Sequence, residues 1–344
     1  MDPPDPATAL LRLATGHEAA QAVIVAARLG LADLLADGPR DAAGLAAAAG
    51  AHAPSLHRLL RVLAALDVVR EEADGRFALG PLGMPLRDGV AGSLRPLVVL
   101  FGHDEFWRSW GDLEHTVRTG ETAVRHLWGV ETSFDRYTAE PALGHVFNAG
   151  MTALSGRAIA AVLGVWRFPA TGLVVDVGGG EGALLAAVLR ANPGLRGVVF
   201  DLPPVAEAAA AALAGHGGAG QGLGARAEAL GGDMFAAVPP GGDIYMLKSV
   251  LHDWADGPAG AVLRAVRAAM SPTARLLVIE RLMPDRMGPE ARMVALADLR
   301  MLLRTGGRER TKAEFRALFE AAGLRWLRTV PTATGYAILE LEAA

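Results

Sequence analysis

From about Leu173 onward the chain settles into a rhythm that leaves few folds open to it. Apolar runs, LVVDVG at 173–178, RGVVFDL at 196–202, DIYMLKSV at 243–250 and RLLVIER at 275–281, alternate with stretches of helical composition. Runs apolar on nearly every residue belong to strands covered on both faces, and strands separated by helices pair in parallel. The expectation is an α/β fold, a parallel sheet with helices on both sides. Two later runs, RWLRTVPT and YAILELEA, flank a short turn at Thr334-Gly335 and read as an antiparallel hairpin at the edge of that sheet. The glycine-rich GHGGAGQGLGA at 215–225 reads as a loop.

The first 170 residues carry a different pattern. Gln21 to Leu35 has apolar residues at helical spacing with a break at Gly30. Asp41 and Gly50 bracket an Ala-rich helix as caps, and Leu56, Leu59, Leu60 and Leu63 share one face of another. VVREEADGRFAL then reads as a hairpin turning at Asp74-Gly75. Helices followed by such a hairpin make a winged helix. Residues 1–100 hold 9 Arg against 11 Asp and Glu, which disfavours DNA and favours a dimerisation role. Residues 101–170 look helical and contain Trp107, Trp110, Trp128 and Trp166. They read as a linker lining an acceptor pocket, with Trp128 a candidate wall; for each tryptophan the alternative is ordinary core. The expected divisions are 1–100, 101–170 and 171–344.

Bulk properties narrow the partners. A net charge of −4 gives no footprint for nucleic acid or an anionic membrane. The absence of cysteine removes disulfides, thiolate metal sites and a thiol nucleophile. No signal sequence opens the chain, and no uninterrupted apolar run reaches the ~20 residues of a membrane helix. A cytoplasmic location is expected. Only two of the 33 basic residues are lysines, Lys248 and Lys312.

The sharpest local signal is VVDVGGGEG at 174–182, a strand that ends in Asp176, followed by glycines and a helix. Glycines let a backbone approach a bound ligand where a Cβ would clash. Gly178, Gly180 and Ala183 match a dinucleotide loop weakly. The alternative is a loop for S-adenosylmethionine, with Asp176 before Gly178, Gly180 and Gly182. A carboxylate there repels a pyrophosphate but suits the cationic amino group of that cofactor. Asp201, ending the next strand, can accept from two ribose hydroxyls in either case. Asp233, Met234 and Phe235 in GGDMF offer an acceptor for an adenine amino group and two faces for its ring, or simply core packing.

His252, in MLKSVLHDWAD, follows a predicted strand, and ligands in open α/β sheets sit beyond the carboxyl ends of strands. Topology thus sets it apart from the other eight histidines. A phenol, with a pKa near ~10, is scarcely ionised at neutral pH, so an enzyme that alkylates it must supply a base. An imidazole braced by a carboxylate is suited to the task. Glu280, ending RLLVIE, and Glu309, in GGRERT, are the candidates for the brace; read alone, Glu309 is a solvated loop charge.

Together, AARLGLADLLADGP, LHRLLRVLAALDVV, VVDVGGGEG, VVFDLP, GDMF, LKSVLHDW, LVIE and GGRERT resemble the caffeate-type O-methyltransferase family, over nearly the whole chain. The resemblance implies a Rossmann-like S-adenosylmethionine methyltransferase sheet behind an N-terminal winged-helix dimerisation domain, and a homodimer. Gly178, Asp201, Asp233, Met234 and Lys248 resemble cofactor-binding positions, as does Ser155 in FNAGMTALS; Asp176, Gly180, Leu202, Phe235 and Ser249 adjoin them. His252 resembles the catalytic base, flanked by Glu280 and Glu309 and supported by Asp253. Phe147, Met151 and Met301 resemble acceptor-lining residues. Arg300 stands where plant members are apolar. No metal is implied, since no carboxylate–histidine cluster shows ligand spacing. The implied reaction is methylation of a hydroxyl on a small aromatic or polyketide-like molecule. Some relatives have turned the same cofactor site to hydroxylation, decarboxylation or pericyclic chemistry; the complete His252, Glu280 and Glu309 set argues for methyl transfer.

Overall fold

The computed structural model describes residues 5–215 and 223–344; positions 216–222 of the expected glycine-rich loop lie outside the described residues. Two compact units result. One is Met1–Arg108 with His145–Leu154, the other Ser109–Gly144 with Ser155–Ala344. Residues 101–170 are therefore divided between the units.

In the first unit, helices Gly16–Arg28 and Leu31–Leu34 are separated at Gly30, which adopts φ 65°. Helix Ala42–Ala49 begins with the Asp41 carboxylate accepting from the Gly44 N–H and ends at Gly50 in the left-handed conformation, as its sequence signals require. Helix Ala53–Ala65 leads to β1 (Val69–Glu71) and β2 (Phe77–Leu79), paired antiparallel. Leu31, Leu45, Leu60, Leu63 and Phe77 form their common core.

The second unit is built on β3 (Gly172–Val177), β4 (Leu195–Asp201), β5 (Ala227–Gly231), β6 (Ile244–Lys248), β7 (Arg275–Met283), β8 (Arg310–Thr311), β9 (Leu324–Pro331) and β10 (Tyr336–Ala343). Strand order is β5-β4-β3-β6-β7-β10-β9, with β8 beside β7. All pairs from β5 to β7 are parallel, and β10 is antiparallel to both neighbours, so the hairpin caps one edge as expected. Side chains alternate between two cores. Val175, Val177, Tyr245, Leu247 and Val278 pack with Leu263 and Phe319 on one face. Val174, Met246, Leu277 and Ile279 pack with Leu185, Leu189 and Val162 on the other. β4 and β6 flank β3 on opposite sides, so chain order reverses at its carboxyl end, where open sheets form a crevice.

One helix departs from the sequence reading. Pro141–Val165, 25 residues with mean hydropathy 1.3 in its best window, is long and apolar enough to cross a membrane by length and composition. Sparse polar residues hid it from a search for an unbroken run. Its apolar residues enter protein cores: Phe147 and Met151 in the first unit, Ala158, Ile159 and Val162 in the second.

Tyr245 ties the loop before β6 to the end of helix Asp256–Ala269. Its buried hydroxyl accepts from the Gly242 N–H and lies 3.0 Å and 2.9 Å from the carbonyls of Pro239 and Ala269. Tyr245→Phe leaves those groups without this partner, and the unfolding free energy in urea is expected to fall by about 1–2 kcal/mol. Unchanged stability would show that the hydroxyl is dispensable.

Candidate active site

The loop after β3 is shaped by three glycines at positive φ: Gly178 (67°), Gly180 (58°) and Gly182 (78°). A Cβ on Gly178 would come within 2.8 Å of Val250, whereas Gly180 faces open space, so the first glycine serves packing and the second leaves room. Asp201 fixes the loop. Its Oδ2 accepts from the Gly180 N–H at 2.8 Å and its Oδ1 from the Leu202 N–H at 2.7 Å. Both oxygens keep lone pairs for further donors. Burial pushes the Asp201 carboxyl above its ordinary range.

Asp176, at the end of β3, is fully enclosed, and its Oδ2 has no hydrogen-bond partner among the described residues. Burial pushes its pKa up to about 7 against the pull of Lys248. Lys248, ending β6, is lowered by burial and raised by Asp176 and Glu280. Asp176 lies close behind Gly179 of the loop, and a buried carboxylate oxygen without a partner there is matched in charge to a cationic ammonium ligand, which is the chemistry S-adenosylmethionine offers. Ser249 follows in the left-handed region at φ 54°, its hydroxyl bonded to Tyr336 at 3.2 Å.

The rest of the expected cofactor group is looser. Asp233 is exposed and spends Oδ1 on the Phe235 N–H at 2.9 Å. Met234 and Phe235 are half-buried against the core, with Phe235 edge-on to Trp254 at 4.8 Å. Leu202 is 46% exposed, and Ser155 is half-buried on the Pro141–Val165 helix.

His252 lies in a 3₁₀ turn, Leu251–Asp253, just past β6. Its Nδ1 is 3.0 Å from Glu309 Oε1, while among the described residues Nε2 has Asp253 Oδ1 at 3.8 Å. Glu280 flanks the imidazole and also holds the turn that carries it. Its Oε1 accepts from the backbone N–H groups of Val250, Leu251 and His252 at 3.0, 3.0 and 3.4 Å, and its Oε2 is 3.7 Å from Nδ1. It holds the turn and adds charge, and Glu309 makes the direct bond. Glu309 is buried, not solvated, because its own N–H donates to Asp298 and its segment docks on the turn.

Burial alone would lower the His252 pKa, but Glu280, then Asp253 and the Glu309 hydrogen bond, push it up to about 10. Burial with neighbouring acids pushes Asp253 up to about 7 and Glu280 in the same direction. The nest thus favours a protonated ring.

His252, Glu280 and Glu309 also offer ligand atoms within 4.8 Å of one another, the one such metal-type cluster found among the described residues. The three residues come from separate elements, so this proximity has no counterpart in their spacing along the chain. Nδ1 and Glu280 Oε1 are already engaged in the hydrogen bonds above.

Of the expected acceptor residues, Met301 is buried and Arg300 half-buried on helix Arg292–Arg304. Burial and Arg281 lower the Arg300 pKa, opposed by Glu309 and Tyr336. Trp128 lies under the Arg136 guanidinium at 4.5 Å. Phe147 and Met151 pack with Leu97, Leu100 and Phe106 in the first unit. Sequence reasoning missed Tyr336, Trp254, Gly307 and Arg310. The glycine pair at 306–307 was the one visible sign that two backbones meet there.

A parallel sheet with a glycine loop at its switch point, a lone buried carboxylate beside it and an acid-braced imidazole at the next strand end has the parts of a cofactor-dependent group-transfer enzyme. Residues 110–325 match the family model of the O-methyltransferase domain, and residues 11–86 that of the O-methyltransferase dimerisation domain. The chain is 41% identical over 332 residues to the phenazine O-methyltransferase PhzM of Lysobacter antibioticus, covering 96% of this chain and 94% of that protein. It is 41% identical over 338 residues to the O-demethylpuromycin-O-methyltransferase of Streptomyces alboniger, covering 96% and 88%. The solved structure of human N-acetylserotonin methyltransferase in complex with S-adenosylmethionine aligns with TM-score 0.90 at 29% identity, covering 100% of this chain and 99% of that one. The chain belongs to the O-methyltransferase family and is an S-adenosylmethionine-dependent O-methyltransferase.

Asp176 has a consequence for stability. Its folded pKa lies above the unfolded value, so the folded state holds this proton longer and loses stability as pH rises from about 4 to about 7. In the cofactor-free protein, Asp176→Asn is expected to raise the unfolding free energy by roughly 1–3 kcal/mol at pH 8, with the gain vanishing toward pH ~4. Cofactor affinity should fall in the same variant. A thermal midpoint unchanged at pH 8 would contradict this.

Proposed function

We propose that the enzyme methylates a phenolic hydroxyl of a small, planar aromatic metabolite, with His252 as general base. The observation that carries this is the 3.0 Å contact between His252 Nδ1 and Glu309. With the Nδ1 hydrogen held by the carboxylate, Nε2 is the nitrogen left to take a proton. The acids stabilise the imidazolium that results. A ring with a pKa of about 10 matches a phenol, so the proton passes between them at little cost in free energy. Bound S-adenosylmethionine supplies a methyl group on a sulfonium for the phenolate oxygen to attack. Asp176, Lys248, the Gly178–Gly182 loop and Asp201 hold the cofactor, aided by Ser155, Asp233, Met234, Phe235 and Ser249. Relatives named for phenazine and demethylpuromycin support an aromatic acceptor. Phe147, Met151, Trp128, Arg300 and Met301 are the proposed acceptor contacts.

The match of residues 11–86 to a dimerisation domain supports a homodimer. The net charge of −4 supports a reaction without nucleic acid or an anionic membrane surface, and relatives named as biosynthetic methyltransferases are in keeping with a cytoplasmic reaction.

His252→Ala is expected to bind the cofactor normally and lose methyl transfer by about 10²–10⁴-fold, measured with labelled methyl donor and a panel of phenols. In the unmodified enzyme kcat/KM should climb with pH as the ring sheds its proton. Glu309→Gln removes one of the charges that raise the His252 pKa, so this limb should move to lower pH while the maximal rate falls. A limb that stays in place would assign it to another group, such as the acceptor itself.

A further inference from the structure

Arg310 has the largest wholly buried side chain of the described residues, yet it carries a charge. Taking a guanidinium out of water is costly unless its N–H groups are matched, and here they are. Nη1 donates to the Leu251 carbonyl at 2.7 Å, Nη2 to the Trp254 carbonyl at 2.7 Å, and Nε to Asp256 Oδ1 at 3.0 Å. Leu251 and Trp254 bracket His252 and Asp253. Nearby, the Arg308 N–H donates to the His252 carbonyl at 2.8 Å, and a Cβ on Gly307 would come within 2.1 Å of that same oxygen. Glu280 Oε1 in turn collects the N–H groups of Val250, Leu251 and His252.

Both grips trace to one strand. Glu280 belongs to β7, and Arg310 is paired with Leu282 of β7 through β8. The turn carrying the base is therefore held by its N–H groups and by its carbonyls, through partners that β7 carries or pairs with. Glu309, which bonds the imidazole, is the residue immediately before Arg310.

We infer that Arg310, supported by Asp256, is a positioning residue of the reaction: by fixing the Leu251 and Trp254 carbonyls it holds His252 Nδ1 at hydrogen-bond distance from Glu309 and aims Nε2 at the acceptor. This rests on His252 being the base. A lysine at the same place is a point charge that cannot span both carbonyls and the carboxylate in one plane, so Arg310→Lys keeps the charge and loses the fork.

The test is a double-mutant cycle in the full-length enzyme with labelled methyl donor and one phenolic acceptor. Arg310→Lys is expected to lower kcat by about 10–100-fold, with acceptor KM and cofactor Kd changed less than about threefold, as misplacement of a catalytic group does. In a His252→Ala background the same substitution should alter the rate by less than about twofold, since no base is left to position. An equal loss in both backgrounds, or full kcat in a folded Arg310→Lys enzyme, overturns the proposal. Should Arg310→Lys not fold, Asp256→Asn serves, because that side chain is 62% exposed; a loss of about 3–10-fold, again absent without His252, is expected. An undiminished rate in His252→Ala alone is a separate result, which removes the base assignment and the positioning role with it.

Discussion

The site depends on a hydrogen bond between residues 57 positions apart, from His252 Nδ1 to Glu309. A contact of that separation exists only if the sheet has already brought β7 beside β6 and β8 beside β7. Once made, it fixes which ring nitrogen faces outward and keeps a carboxylate where the imidazolium charge develops. The energetic burden is considerable. Glu280, Glu309 and Asp253 crowd one imidazole inside the protein, and such groups persist only because a hydrogen-bonded frame surrounds them.

Much of the fold was legible because it follows from period and punctuation. Apolar runs that ignore alternation gave the covered strands, and Asp41, Gly50 and Gly30 gave helix ends that the structure reproduces. His252 could be placed at a strand end for the same reason: a strand's carboxyl terminus is a local property, and the crevice there is a topological one.

The wiring of the site was not legible. Nothing in LVIE says that Glu280 spends one oxygen on three backbone N–H groups, and nothing in GGRERT distinguishes a solvated arginine from one sealed in the core. Both facts arise where loops meet across the sheet, and burial there is decided by tertiary packing. The proximity of His252, Glu280 and Glu309 likewise arises only in three dimensions. Met234 and Phe235 read in sequence either as ring-stacking residues or as core packing, and both are half-buried against the core.

The leftover oxygen on Asp176 reaches beyond recognition. A ligand that binds only the folded chain shifts the folding equilibrium in proportion to the logarithm of its concentration. A protein that keeps an unsatisfied acid in its centre has more to gain from such a ligand than one that does not. The folded chain would then resist unfolding more strongly as the concentration of the methyl donor rises.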